Sequence, residues 1–540
     1  MERFRGAGDA SVEETWRRVA VAVAAPEETP FMRRRWAQIF YQALTGFKFL
    51  PGGRTLAGAG ARPDAILFDC FINRRLLADA SSILTNLQGD AWTMQRGGRI
   101  AQDFSAIPPK DRAALDGGAR PYGALEIMGV WRAIAATIVE SDVSFTAALS
   151  CSHPEIEGFV GDAPAGRPGR FNRLVLIPGA FMEAVEGDGG WPLVFGGETF
   201  RTVSALALWR SMLRTAYDRA GLGLIFIDSA NALTRPERAH GVAAANDNAF
   251  GHDACLLGSI NLAALVKDAF TPAAHIPERK LHALAAVAVR FLDNVIDVSS
   301  YATPEQEMTA KAWRRLGLGV TGLADALIMC GAHYGAEDGR RLAERWVARL
   351  CHSAYPASAA LARVKGCFPY FDMEEQLSRP FVAGLDAEVS DAIGKHGLRN
   401  GALMAISPTI ATSLLADNVS GGIEPVRNFA GSEDSPVSYA ERRFRELRGA
   451  GALPSFFVSG RDVAPQARLE MQAAIQRHVD APLGSVINCP SGLSFDDFER
   501  LCRGAHAIGA AGCAFFGGNS RLAGRPNSGS LLPQRGERQG

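Results

Sequence analysis

Apolar residues in Phe31–Leu44 recur at helical spacing, with Trp36, Ile39, Phe40 and Leu44 on one face and Arg33, Arg34 and Arg35 on the other. The pattern predicts helix over residues 10–47, ended by Pro51-Gly52-Gly53. Gly58-Ala59-Gly60 and Arg62-Pro63 then supply flexible backbone before a strand-like run, Ala65–Ile72, which holds Cys70. Residues 93–103 read as a glycine-containing turn after a helix, and 108–118 as a polar loop.

From about residue 120 to 425, short apolar runs alternate with long amphipathic stretches. Leu174–Ile177, Leu224–Ile227 and Ala402–Ile406 suit strands, while 201–219, 279–299, 304–316 and 338–365 carry helical periodicity. Such alternation predicts the α/β class. Residues 429–470 are charged and irregular and read as an insertion. Residues 521–540, rich in Gly, Pro, Arg and Ser, read as a disordered tail. No internal repeat is present. Gly317-Leu-Gly-Val-Thr-Gly322 matches the spacing of a dinucleotide-binding turn, but the charged helical pattern before it is the wrong context. It reads instead as a tight connection within the fold.

At 540 residues the chain exceeds what one core usually organises, so a large domain with a smaller module is expected. Lys+Arg and Asp+Glu both number 57, so overall charge points to neither nucleic acid nor an acidic membrane. Met1–Glu14 has neither a signal-peptide core nor a transit-peptide pattern, and no run of about 20 apolar residues occurs. A cytoplasmic location follows as the expectation. The nine cysteines, at 70, 151, 255, 330, 351, 367, 489, 502 and 513, form no Cys-x-x-Cys pair, which argues against zinc-ribbon and thioredoxin-type sites. His252, Asp247 and Asp253 share one polar loop, but their spacing fits no standard metal motif, and no metal site is predicted.

A series of short segments bears on chemistry. They include Phe49-Leu-Pro-Gly-Gly-Arg54, Phe68-Asp-Cys-Phe71, Thr93-Met-Gln95, His153-Pro-Glu-Ile-Glu157, Leu292-Asp-Asn-Val-Ile-Asp297, Arg314-Arg-Leu-Gly-Leu-Gly-Val-Thr-Gly322 and His396-Gly-Leu-Arg-Asn400. Ala254-Cys-Leu-Leu-Gly-Ser-Ile-Asn-Leu262, Ala416-Asp-Asn-Val-Ser420, Gly422-Ile-Glu-Pro425 and Ile487-Asn-Cys-Pro490 complete the set. Taken in chain order, they resemble the adenosylcobalamin-dependent (class II) ribonucleotide reductases over roughly residues 48–532. The resemblance implies a ten-stranded α/β barrel of the ribonucleotide reductase and glycyl radical enzyme type. It further implies an N-terminal helical segment at 1–60, a barrel at 61–520 and the tail at 521–540.

The resemblance also implies reduction of ribonucleoside di- or triphosphates to deoxyribonucleotides, with adenosylcobalamin as cofactor and a thioredoxin-like reductant. Cys70 and Cys255 fall on the positions of the cysteine pair that supplies electrons by forming a disulfide. Thr409, Thr412 and Ser413 fall on the phosphate-binding turn, although Ile410 replaces its glycine and Ala411 one of its hydroxyl residues. A radical-bearing cysteine is expected eleven residues before Cys255, where this chain has Ala244. The acid two residues later becomes Asn246, and the Asn two residues earlier becomes Val242. This does not depend on the spacing, because no cysteine lies between Cys151 and Cys255 and no Glu between Glu237 and Cys255. A methyl group cannot carry a thiyl radical, and an amide is no general base at neutral pH. The glycine-rich turn after Thr-Met-Gln is likewise filled by Arg96, Arg99 and Ala101. Two readings stay open: an active reductase, or a non-catalytic paralogue that binds a nucleotide, cobalamin or a protein partner.

Overall fold

The computed structural model describes residues 4–6, 8–73, 76–110, 122–138, 145–161, 171–219, 222–232, 253–429, 437–488, 493–510 and 512–516. Two helices, Val12–Val23 and Pro30–Leu44, open the chain, as the periodicity predicts. Ser11 and Thr29 cap their first turns by accepting backbone N–H groups, and Pro30 occupies the first turn of the second helix, where no N–H is missed.

Thirteen strands are described. They are β1 (Phe49–Pro51), β2 (Cys70–Ile72), β3 (Arg99–Asp103), β4 (Phe145–Ser150), β5 (Phe171–Ile177), β6 (Gly190–Phe195) and β7 (Glu198–Ser204), then β8 (Leu222–Phe226), β9 (Asp253–Cys255), β10 (Leu257–Asn261), β11 (Gly317–Thr321), β12 (Gly484–Asn488) and β13 (Gly512–Phe516). An eight-stranded sheet runs β12-β13-β8-β5-β4-β3-β2-β9, and a three-stranded one runs β1-β10-β11. From β8 to β2 the neighbours are parallel, and antiparallel steps occur at β13·β8 and β2·β9. Only Leu256 separates β9 from β10, so one stretch of backbone serves both sheets. The described strands do not close into a single hydrogen-bonded ring. β11 touches the 402–406 run through one bridge, Leu318 to Met404, and no described pairing joins that run to β12.

Parallel pairing gives the large sheet two faces. Phe71, Ile100, Phe145, Ala147, Leu149, Val175, Leu224 and Phe226 lie on the outer one, most of them in a core shared with Trp131, Trp209 and Phe498 from the covering helices. The alternate positions form an inner face, where Ala148, Leu176 and Ile227 pack with Leu174 and Ile225 in a small separate cluster. A second large core joins the N-terminal helices to β1, β10, β11 and the helices Glu278–Val298 and Glu337–Lys365.

Several local readings change. Arg99–Asp103 is a strand rather than part of a turn. Gly317–Thr321 is also a strand, not a tight connection, and glycine is needed there because the neighbouring run passes close: a Cβ on Gly319 would lie 3.0 Å from the Ile406 Cα. Residues 198–204 pair with β6 as a hairpin, so the helix begins only at Ala205. The 429–470 region is not wholly irregular: Tyr439–Arg448 is helical, Phe457 stacks on Phe270 and Phe444 meets it edge-to-face. The predicted tail at 521–540 lies outside the described residues.

Many of the segments behind the family resemblance build one buried ionic cluster. Asp293, fully buried, accepts from Arg314 Nε at 2.8 Å, Arg399 Nε at 3.2 Å and Asn400 Nδ2 at 3.1 Å. Arg314 also donates to both oxygens of Asp297 at 2.8 Å. Lys365 donates to Asn294 Oδ1 at 2.5 Å, and Asn294 in turn donates to Glu27 at 3.0 Å, a residue of the N-terminal segment that also pairs with Arg290. Removing one member would strand a buried charge at a cost of about 3–5 kcal/mol.

Asp90, in helix Ala80–Gln95, is buried where Trp131 Nε1 donates to it at 2.6 Å and Asn73 Nδ2 donates to its other oxygen. Burial pushes its carboxyl up to about 7, against the pull of these two donors. The fold thus favours the neutral acid. Its contribution is greatest below the ordinary carboxylate range and falls as pH rises towards 7. Asp69 and Glu424, raised by burial to about 6 and about 7, act in the same direction. Urea unfolding of the wild type and of Asp90→Asn from pH 4 to 8 is therefore expected to show the wild type losing stability relative to the variant towards neutrality; a difference that does not change with pH would contradict the assignment.

Candidate functional site

The β2·β9 pairing brings two predicted site residues together. Cys70 stands directly opposite Cys255 in antiparallel register. Opposed residues in such a pair have Cα atoms about 4.5–5.5 Å apart, within the span a disulfide bridges. Cys70 is half-buried, so its sulfur is neither sealed in a core nor fully exposed. Its register partner across β3 is Arg99, which shares the inner face with Ala101 and Thr146.

Beside Cys70 lies a charged cluster that no sequence spacing announces. The Asp69 Oδ2 is inaccessible to solvent and has no hydrogen-bond partner among the described residues. Gly52 packs against it so closely that any Cβ at that position would collide with the oxygen. Arg54 and Arg99 hold positive charge near the carboxylate, yet burial dominates and raises it to about 6. Arg54 spends its own guanidinium on three carbonyls: Ile66 at 3.1 Å, and Gly97 and Arg96 at 2.6 Å each. A lone Asp before a Cys has no diagnostic pattern, because its environment is assembled by residues 52, 54 and 99 from other elements.

The phosphate-turn candidates are placed differently from what free donors would require. Thr409 sits in the left-handed region, φ 48°, just before the short helix Ile410–Leu415. Its Oγ1 lies 2.9 Å from Thr321 Oγ1 and accepts the Gly422 N–H at 2.9 Å. Thr412 Oγ1 donates to the Thr409 carbonyl at 3.0 Å, and Ser413 Oγ to the Ile410 carbonyl at 2.9 Å. All three hydroxyls are thus engaged with the chain itself. Thr412 and Ser413 brace the turn from within, Thr409 joins it to Gly422, and Ile410 adds a branched side chain at the same place.

Val242, Ala244, Asn246, Asp247 and His252 lie outside the described residues. Asp253 begins β9, opposite Ile72. Among the described residues, no group of three or more His, Cys, Asp or Glu side chains is arranged to hold a metal ion, and no helix is long and apolar enough to cross a membrane.

Comparison with known proteins follows the same lines. Residues 3–63 match the all-alpha domain of ribonucleotide reductase and residues 69–435 its barrel domain. A vitamin B12-dependent ribonucleoside-diphosphate reductase of Mycobacterium tuberculosis is 31% identical over 535 residues, covering 91% of this chain and 73% of that protein. A protein of the same description from Thermoplasma acidophilum is 25% identical, covering 89% of this chain and 65% of its own length. The ribonucleoside-diphosphate reductase subunit alpha of Chlamydia pneumoniae is 24% identical, covering 80% and 48% respectively.

If the Thr409 hydroxyl holds the turn rather than a ligand, Thr409→Val leaves the Gly422 N–H without its partner. Urea unfolding should then register a loss of about 1–3 kcal/mol. Unaltered stability would show that this hydroxyl does not support the fold.

Proposed function

This chain belongs to the ribonucleotide reductase large-subunit family, and we propose that it has kept the family's scaffold and cysteine pair while losing ribonucleotide reduction. One observation carries the reading: the position of the radical-bearing cysteine is Ala244, and no other cysteine lies between Cys151 and Cys255. Cys255 itself occupies a different position, on β9 opposite Cys70. Asn246 in place of the acid removes the proton-handling group. Loss of a covalently participating atom is not a modest rate effect.

The division into a helical segment at 1–60, a barrel at 61–520 and a tail at 521–540 is part of this proposal. The strand succession supports a ten-membered barrel: β2, β3, β4, β5 and β8 form one half, and β9 with β10, β11, the 402–406 run, β12 and β13 the other. Closure requires the 402–406 run to lie against β12. Two hydrogen bonds favour that, because Asp480, shortly before β12, accepts the N–H groups of Leu403 at 2.8 Å and Met404 at 2.9 Å.

Adenosylcobalamin enters through the B12-dependent relatives and would supply a radical when bound. The residues present do not fit that task, because a methyl group stands where a sulfur must receive it; no step is derived through the cofactor. Ribonucleoside diphosphates are the substrates named for the relatives. In this chain the Thr409, Thr412 and Ser413 hydroxyls are engaged with the chain itself and Ile410 crowds the turn, which favours weak phosphate binding. A thioredoxin-like partner would have its target in Cys70 and Cys255. The role that remains is that of a non-catalytic paralogue that binds a nucleotide, cobalamin or a protein.

The test is direct. Purified protein is incubated with adenosylcobalamin, a dithiol and ribonucleoside di- or triphosphates, and deoxynucleotide is measured. No product above background is expected, and turnover would overturn the proposal. Ala244→Cys combined with Asn246→Glu should restore turnover only if the phosphate turn still binds, so adding Ile410→Gly to that pair is expected to raise the yield.

A further inference from the structure

We propose that the cavity between the first turn of the helix Glu278–Val298 and the helix Glu337–Lys365 is a binding site for a small organic carboxylate with an apolar body. It shares no residue with the cysteine pair or with the 409–413 turn, so its test is independent of how those sites are read.

The cavity is framed by fixed backbone. The helix Leu323–Met329 is followed by Gly331 at φ 73°, whose left-handed conformation turns the chain away. The segment after β10 is pinned to that helix end, because the Phe270 N–H donates to the Met329 carbonyl at 2.7 Å. Lys267 and His275 exchange backbone hydrogen bonds at 2.8 and 3.2 Å. Residues 274–277 then form a strap at the edge of a cavity of about 480 Å³, a size that takes small organic molecules.

Its walls have two characters. Leu281, Leu342 and Trp346 offer apolar surface to a ring or a branched chain. Arg345 and Arg349, one helical turn apart, place two guanidinium groups on one side. Arg349 is joined to Glu278 at 3.0 Å, whereas Arg345 has no ion pair among the described residues. Two cations thus meet one carboxylate, and the positive charge left over suits a monoanion. On the strap, His275 commits its Nδ1 to the Ala273 carbonyl at 2.8 Å. Trp346 is only 5% exposed, and its indole N–H donates to no group among the described residues, which leaves a second donor for an acidic ligand. A carboxylate has two oxygens to accept from these donors, and the planar fork of Arg345 matches its geometry. A dianion would need Arg349 released from Glu278.

Cys330 reports occupancy. It lines the cavity and is half-buried, and burial pushes its thiol up to about 11, so it is a slow nucleophile. The full-length chain is titrated with 4-phenylbutyrate by calorimetry. In parallel, alkylation of Cys330 by N-ethylmaleimide is followed by peptide mapping, with the exposed Cys367 as internal control. The expected result is saturable binding with a Kd of about 1 mM or tighter. Near saturation, alkylation of Cys330 should slow at least about fivefold while Cys367 is unchanged. Arg345→Gln, at an exposed position, should weaken binding at least about tenfold, and so should replacing the probe by 4-phenylbutyramide, which keeps the body and lacks the charge. Glu278→Gln, which frees Arg349, should tighten 4-phenylbutyrate and admit phenyl phosphate. Equal affinity for the carboxylate and the amide would overturn the proposal, as would absence of binding at millimolar probe or binding that leaves Cys330 unprotected. Phenyl phosphate binding the wild type more tightly than 4-phenylbutyrate would overturn the assignment of a monoanion.

Discussion

The short antiparallel contact between β2 and β9 is the constraint on which the arrangement depends. Three residue pairs make it, Cys70 with Cys255, Phe71 with Ala254 and Ile72 with Asp253. Because β9 runs into β10 through Leu256, the same backbone that completes the large sheet also enters the small one, and Gly317 N–H donates to the Leu256 carbonyl at 2.8 Å. A one-residue slip here would turn every side chain of the strand to the opposite face and part the two cysteines. Phe71, fully buried and packed at 6.0 Å on Phe68, fixes the register by committing one face of β2 to the core.

Around that contact the molecule has kept most of what holds a barrel-type scaffold together. The Asp293–Arg314–Arg399–Asn400 cluster is buried and ties distant segments together. It joins the helix Glu278–Val298 to the segments after the helices at 304–313 and 387–396, and through Asn294 and Lys365 it reaches Glu27. Replacements at 242, 244 and 246 leave these contacts untouched. Scaffold and reaction are thus separable here: the fold needs its buried ion pairs and its strand register, whereas radical chemistry needs one sulfur at one position.

Much of this was legible in the sequence. Helical periodicity located the N-terminal pair and the long helices, and alternation of apolar runs gave the α/β class. The family resemblance placed Cys70 and Cys255, and the structure sets them opposite one another. Less visible were Arg99–Asp103 and Gly317–Thr321, whose glycine and arginine content reads as turn although both are strands. Their pairing comes from neighbours distant in sequence, with Gly319 required only because the 405–406 backbone passes against it. The bonding of Thr409, Thr412 and Ser413 to the chain itself was not legible either, since a hydroxyl that binds phosphate and one that braces a turn are the same letter. Nor was Asp69, whose enclosure is made by Gly52, Arg54 and Arg99 from separate elements.

The central claim is that no sulfur is available to carry a radical at position 244. Electron paramagnetic resonance of the protein, frozen after mixing with adenosylcobalamin, a dithiol and a ribonucleotide, addresses it most directly. The account predicts a spectrum without any sulfur-centred protein radical. A radical assigned to a cysteine of this chain would contradict it.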